Sequence, residues 1–589
     1  MKLLLHAMNF DIKLLHRNEI ITGVAASGVA AIGTWYLISK LYKYCREPKL
    51  LKTYPKRESS SHLDSRENVY KRFFYDDVTY PRLGHVVGTQ ARFDAIIIGS
   101  GMAGLTTAVL LSQHGKRVLV LEGKDSSGWS EHSFQNTEYA SRLYYMGYMP
   151  LTEKIFNAVT EGNILYESVN NPTDVFMSNG LAIYKFNAHT WIRDLKRGLE
   201  VSVLNISRMV NYLRFSAKIL QKLTFYKIAP TWLSYFVWGF RSLCGTNTVE
   251  KYSNIKATDA FCCSSDAESI FMCQHGLHGE HPEDVSLLVH GGALNHYVDG
   301  SWYPTDGVEA VIKTMCKIIR SSGGDVVVHA KVTKVLTNGT KAVGVVVNNS
   351  NHLFAKAIVS SIGIKHTLAL FDQPNQSIPS IVKSSELIGH RTGKVTLFAT
   401  FVGSTEDLNI SSSVTWHHGQ AVNFESFEEY VNSEIGLCIS FPSTRGGYGG
   451  DKSSGAFTTC ICSTELSYDQ FIHFQYGTRT TEDESSMTDM LKEKILQILF
   501  LYYPQCKRAL THSYVTIPSM TDYGLALSKE RFNNIETLCN LRPQTELSGF
   551  FLAGHDIFFP GAWGSLYSGA MCAHAILDRT LLSYMGELM

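Results

Sequence analysis

Residues 96–105 read "IIIGSGMAGL". Three aliphatic residues give a buried strand, glycines follow at 99, 101 and 104, and the apolar spacing of "LTTAVLLSQHG" (105–115) predicts a helix that Gly115 stops. The next segment, "RVLVLE" (117–122), is a second strand, so the stretch opens a βαβ unit. In such a turn Gly99 allows the tight bend, Gly101 lets backbone approach a pyrophosphate, and Gly104 lets the helix pack close to the strand. Ser100, Met102 and Ala103 complete the candidate cradle, whose helix end offers unpaired N–H groups and a partial positive charge.

Glycine turns are common in α/β proteins, so the turn needs a second signal. Glu122 ends the second strand with seventeen residues between it and Gly104, where an acid accepts ribose hydroxyls. A carboxylate there repels a 2′-phosphate, which disfavours NADP and leaves FAD and NAD. A later segment, "GFFLAGHDIFFPGAWGSLYSGAMCAHAIL" (549–577), again reads strand, loop and small-residue helix. FAD is long enough to need such a second contact, and Asp556 could meet a ribityl or phosphate-side hydroxyl, with Gly554 and Gly564 flanking it. FAD is therefore the expected cofactor.

Between these pieces, residues 307–347 predict a helix ending at Gly323-Gly324 and short β-branched strands with a turn at Asn338-Gly339; "AKAIVSSIG" (355–363) is a further strand. The expected fold class is α/β: a discontinuous Rossmann-type FAD-binding domain (92–170, 300–372 and 505–589) with an α+β substrate domain (171–299 and 373–504). A chain of 589 residues exceeds what one core usually organises.

With 54 Lys and Arg against 53 Asp and Glu, the chain lacks the field of a nucleic-acid binder. Its twelve cysteines contain no CxxC, which argues against a zinc module and a dense disulfide framework. "CQHGLHGEH" (273–281) spaces Cys273, His275, His278 and His281 like ligands, but its glycines favour a loop, and no metal is expected. His417-His418 reads as a solvated turn.

Ile20 to Ile38 carries no charge over 19 residues, close to the ~20 that cross a bilayer. A transmembrane anchor (20–38) after a short tail (1–19) is favoured over a cleaved signal, whose apolar core is shorter. Lys40, Lys43, Arg46, Lys49, Lys52, Lys56 and Arg57 follow it, against Lys2, Lys13 and Arg17 before it, so the body is expected on the cytosolic side. Residues 39–91 read as a linker. "FYKIAPTWLSYFVWGF" (225–240) is either a membrane-contacting amphipathic hairpin or buried core.

The ordered set "DAIIIGSGMAGL", "VLVLE", "NHYVDGSWYPTDG" (295–307), "VTKVL" (332–336), "SFEEY", "ISFPSTR", "LRPQT" and the 549–577 segment resembles the FAD-dependent family of carotenoid isomerases, phytoene desaturases and retinol saturases, the last most closely. The resemblance covers about five sixths of the chain. It implies that Gly99–Gly104 hold the FAD pyrophosphate, Glu122 the adenosine ribose, backbone at Val332 the adenine, and Asp556 with the following helix start the central FAD region. It also implies a substrate sheet roofing the flavin, a hydrophobic polyene or retinoid as substrate, and an endoplasmic-reticulum membrane as location.

The chain departs from the family's double-glycine turn at Ser127-Gly128-Trp129, where Gly128 remains a cofactor candidate, and from its Asp-Thr-Gly at Ala140-Ser141-Arg142. Saturation of a carbon–carbon double bond is the expected reaction; isomerase or desaturase chemistry, and an inactive flavoprotein-like scaffold, are the alternatives. His296, Tyr297 and Tyr303 are candidate proton donors, or else packing at the domain seam. One dinucleotide fingerprint is visible, so electrons would come from NADH or NADPH bound transiently, or from a donor protein.

Overall fold

The computed structural model describes residues 49–54, 83–84, 93–124, 132–134, 137–139, 146–147, 150–168, 174–178, 182–186, 203–261, 271–280, 284–295, 298, 301–304, 307–390, 393–410, 414–419, 427–442, 457–466, 481–516, 524–577 and 581. The anchor (20–38), Gly128, Trp129, Ala140–Arg142, His281, His296 and Tyr297 lie outside them. No helix among the described residues is long and apolar enough to cross a membrane.

The first sheet is built from β1 (Phe93–Ile98), β2 (Val118–Leu121), β3 (Asp325–Val327), β4 (Val332–Asn338), β5 (Lys341–Val347), β6 (Asn351–Ser360) and β7 (Phe550–Leu552). β3, β2, β1, β6 and β7 run parallel in that order, with Ile98 level with Leu121 and Ser360, and Ser360 level with Leu552. Parallel strands covered on both faces need continuous apolar runs, which "AIII" and "VLVL" supply. β6 serves two ladders: its first half pairs antiparallel with β5, and its second half lies between β1 and β7. Asn338-Gly339 makes the β4–β5 turn, with Gly339 at φ +59°.

Helix α1 (Met102–Gln113) is buried along nearly its whole length, against the helix Gly561–Leu577. Small residues make that approach possible: a Cβ on Gly569 would stand 2.6 Å from the Ala103 carbonyl oxygen, and the Thr107 hydroxyl donates to the Gly569 carbonyl at 3.2 Å.

The second sheet runs Leu510–Thr516, Gly393–Val402, Phe457–Leu466, Leu437–Ser440, Val414–His417, Asp174–Ser178 and Ala182–Phe186. One face packs Val395, Leu397, Ala399 and Phe401 against Leu491, Ile495 and Leu499 of the helix Thr481–Tyr502. Helices α2 (Val203–Ile228) and α3 (Thr231–Leu243) form a hairpin, with α2 packed on the helix Leu287–Asn295 and on Gly561–Leu577; the break falls at Pro230, which cannot donate the N–H that a continuing helix requires.

Three expectations about organisation need correction. Strand Leu510–Thr516, expected in the FAD-binding domain, hydrogen-bonds to Gly393–Val402 at the edge of the second sheet. Ile378, Ile381 and Ile388, expected in the substrate domain, pack with Ile96, Leu119 and Phe550 of the first sheet. Within the linker, Lys49–Tyr54 is pinned to the body: Leu50 is fully buried, its carbonyl contacts His114 Nε2 at 2.7 Å, and Asn157 Nδ2 donates to the Tyr54 carbonyl at 3.0 Å.

Candidate cofactor site

The carboxyl ends of β1, β2, β6 and β7 meet at one edge of the parallel sheet, the usual location for a ligand in such folds. Gly99 leaves β1 at φ +94°, a conformation that disfavours any side chain. A Cβ on Gly104 would lie 2.3 Å from the Gly99 carbonyl oxygen, so this glycine closes the turn onto the helix. Around Gly101, by contrast, a Cβ would meet nothing among the described residues within 4 Å. Gly101 is also the N-cap of α1 and, being glycine, brings no capping side chain of its own. The glycine start of α1 thus leaves room beside Gly101 with the positive end of the helix dipole behind it, an arrangement with the sign for a pyrophosphate.

Glu122 lies beside this turn. Its Oε2 accepts from the Ser100 backbone N–H at 2.9 Å and the Ser100 hydroxyl at 2.7 Å, and its Oε1 accepts from the Lys124 N–H at 3.1 Å. Backbone bonds from Glu122 N to Val327 O and from Ala330 N to Glu122 O carry the start of β4 toward the acid. Gly99–Gly104, Glu122 and the Val332 segment are therefore brought together.

Asp556, expected to meet a ribityl or phosphate-side hydroxyl, also has partners within the chain. It is 2% exposed, and its oxygens accept from Ile364 N (2.8 Å) and Leu525 N (2.9 Å). Burial alone would raise its pKa, but neighbouring His555, with Nε2 3.2 Å away, and Arg531, together with the Ile364 N–H, hold the carboxyl well below the usual range. Asp556 thus braces three distant segments behind the strand ends. Gly554, at φ +117°, donates its N–H to Ser568 Oγ at 2.7 Å, and a Cβ on Gly564 would stand 2.0 Å from the Phe559 carbonyl oxygen, so both glycines set the loop against the helix Gly561–Leu577.

Sequence reasoning missed Ser361. Its hydroxyl, at the end of β6, contacts the carbonyls of Ile98 (2.9 Å) and Gly99 (3.1 Å), locking the glycine turn from behind. A small polar residue after a β-branched strand was the available signal.

Of the remaining candidates, Tyr303 lies on the short strand Ser301–Pro304, opposite Glu167. His275 and His278 turn to different partners: His275 Nδ1 is 2.8 Å from Glu465 Oε2, whereas His278 Nε2 is 2.8 Å from His290 Nδ1. Among the described residues no three His, Cys, Asp or Glu side chains group as metal ligands. His417, expected in a solvated turn, ends a strand with Nδ1 2.6 Å from the Tyr502 hydroxyl, and burial lowers its pKa.

Opposite the face that holds the Thr481–Tyr502 helix, the second sheet carries a cross-strand row of Ser440, Ile461, Phe398 and Tyr514, with Trp416, Cys438, Ser463 and Thr396 in the adjoining row. Phe398 and Tyr514 stack at 5.0 Å.

Residues 94–225 match the model of FAD dependent oxidoreductases, and residues 251–393 that of flavin containing amine oxidoreductases. The chain is 25% identical to an all-trans-retinol 13,14-reductase of Danio rerio over 83% of this chain and 86% of that protein. It is equally 25% identical, over 83% and 86%, to a Danio rerio protein named inactive all-trans-retinol 13,14-reductase. A chloroplastic prolycopene isomerase of an Oncidium hybrid cultivar is 26% identical over 46% of this chain and 48% of its own. An oxidoreductase structure from Methanosarcina mazei superposes with a TM-score of 0.54 at 12% identity, covering 82% of this chain and all of that one, which shows the shared fold.

Proposed function

We propose that this chain, which belongs with the FAD-dependent oxidoreductases related to all-trans-retinol 13,14-reductase and prolycopene isomerase, is a membrane-associated enzyme that saturates a carbon–carbon double bond of a retinoid or similar polyene. The observation that carries the reading is the glycine start of α1 at Gly101 beside Glu122, within a chain alignable to retinol reductases over most of its length.

Gly99–Gly104 would hold the pyrophosphate, Glu122 the ribose, and the β4 start the adenine edge. FAD, when bound and reduced, supplies the hydride for one carbon of the double bond. The polypeptide's share is to hold the polyene, exclude water and deliver a proton to the second carbon. On the row that carries Phe398, Ile461 and, beside them, Thr396, these three are buried, and half-buried Tyr514, stacked on Phe398, is the ring of the stack that a polyene would reach first. His296, Tyr297 and Tyr303 remain the proton donors to test. Reducing equivalents enter through a transient nicotinamide donor or an electron-donor protein, since the one glycine-turn cradle among the described residues is assigned to FAD.

The altered Ser127-Gly128-Trp129 and Ala140-Ser141-Arg142 segments, together with the likeness to a relative named inactive, favour loss of catalysis as the second reading. One experiment separates the readings: purified protein is examined for flavin absorbance, then incubated anaerobically with a reduced flavin donor and all-trans-retinol. A saturated product is expected. Geometric isomers alone would favour the isomerase, and colourless protein that refuses FAD would favour the scaffold.

A further inference from the structure

Helix α3 divides into two faces. Leu233, Ser234, Val237, Trp238 and Arg241 point inward and are buried, with Trp238 edge-on to Tyr226 of α2 at 5.5 Å. Outward, along the same 13 residues, stand Trp232 (40% exposed), Tyr235 (44%), Phe236 (49%) and Leu243 (89%), with half-buried Phe240 stacked on Phe236 at 6.4 Å. At ~100° per residue these five side chains fall within about 140° of arc, so they form one stripe. The buried-core reading holds for one face of this segment, and the other face is apolar and exposed.

The hairpin is held rigidly. Arg542 donates to the Ala229 carbonyl at 2.9 Å and to the Thr231 hydroxyl at 3.0 Å, fixing the turn at Pro230. The solvent side of α2 carries Arg208, Arg214 and Lys218 around the 38%-exposed Phe215. Lys222, one turn beyond Lys218, has its pKa lowered by burial and by the nearby positive charges of Arg241 and Lys218.

A third fact concerns reach. Lys49–Tyr54 is pinned to the body through Leu50, Leu51 and Tyr54, and only ten residues, 39–48, separate it from the uncharged Ile20–Ile38 stretch. Ten residues span at most ~35 Å.

We propose that the outer face of the α2–α3 hairpin rests in the headgroup layer of an anionic phospholipid bilayer, the α3 aromatics at the depth of the acyl boundary and Arg214 and Lys218 against lipid phosphates. Exposed Trp and Tyr mixed with Phe and Leu match that layer, where amphipathic rings are favoured, and the exposed cations of the preceding helix α2 add attraction, while Glu536 and Lys383 lie near Tyr235. The inference goes beyond the polyene reading and holds whether the enzyme reduces or isomerises.

The test uses the full chain with a protease recognition sequence placed within 39–48, reconstituted in vesicles of phosphatidylcholine with phosphatidylserine. After the tether is cut, the body is expected to float with the vesicles. The double variant Trp232→Ser/Phe236→Ser should bind at least about tenfold more weakly. Lys218→Glu, an exposed change with an unaltered melting temperature, should weaken binding about fivefold or more per charge removed on phosphatidylserine vesicles and little on phosphatidylcholine alone. Phe354→Ser, which removes an exposed phenylalanine from β6, should remain bound and controls for a general loss of hydrophobicity. Release of the wild-type body on cutting would overturn the proposal, as would unaltered binding by both variants. So would sedimentation showing that the stripe is instead buried between two copies of the chain.

Discussion

Glu122 spends one carboxylate oxygen on both donors of Ser100, backbone N–H and hydroxyl, and so ties the end of β2 to the middle of the glycine turn. The acid therefore shapes the glycine turn of the site proposed for FAD. Glu122→Gln keeps the size but removes the charge that strengthens both bonds. FAD affinity is expected to fall about tenfold or more, with a loss of about 1–2 kcal/mol in the stability of the cofactor-free protein. Flavin titration and thermal melts of both forms read the two effects separately.

Gly101 and Gly104 should respond oppositely to the same substitution. Gly101 has a backbone that alanine tolerates and nothing among the described residues within 4 Å of the added carbon, so Gly101→Ala should fold normally yet take up FAD poorly. Gly104→Ala drives a carbon to 2.3 Å from the Gly99 carbonyl oxygen, and should lower stability by about 1–3 kcal/mol before any cofactor is added. Melting temperature without FAD, set against FAD retention, distinguishes them.

Asp556→Asn tests the brace. The folded pKa of Asp556 is depressed, so its stabilisation is fully present above the unfolded value of ~3.9 and is lost as pH falls through the folded value. The gap between wild type and variant, about 3 kcal/mol at neutral pH, should shrink steadily below about pH 4. Denaturant unfolding across that range measures it.

Lys227 gives the opposite edge of the pH profile. It is buried beside Arg531 and Arg542, donates to the Leu541 carbonyl, and has its pKa pushed well down, first by burial and then by Arg531. The unfolded chain binds a proton there that the folded chain resists, so wild-type stability should rise with pH until about 10.4. Lys227→Met should flatten that rise, which a series of melts from neutral to alkaline pH would reveal.

Much of this architecture was legible because it is written in local periodicity. The glycine turn, the "VLVL" strand, the Asn338-Gly339 hairpin and the 561–577 helix each carry their own spacing and punctuation. What escaped was decided by contacts between distant segments. Strand Leu510–Thr516, mostly polar and half-buried along its length, cannot say which sheet it joins; its partner Gly393–Val402 decides. Leu50 and Leu51 are two apolar residues in a charged stretch, too few to mark an element, yet a pocket in the body receives them. Asp556 follows His555 in the loop after β7, and only the N–H groups of Ile364 and Leu525 reveal where its carboxylate turns.

The two-ladder strand β6 has a consequence for biogenesis. Its outer neighbour β7 pairs Ile358 with Phe550, so the parallel layer stays open on one side until residues near 550 have been made. At ~5–20 residues per second, a ribosome leaves the half-built layer exposed for about ten to forty seconds between those partners. Throughout that interval the bare edge of β6 is a template for mispairing, so a chaperone or the membrane surface should guard it, and flavin loading should be an event that follows synthesis rather than accompanies it.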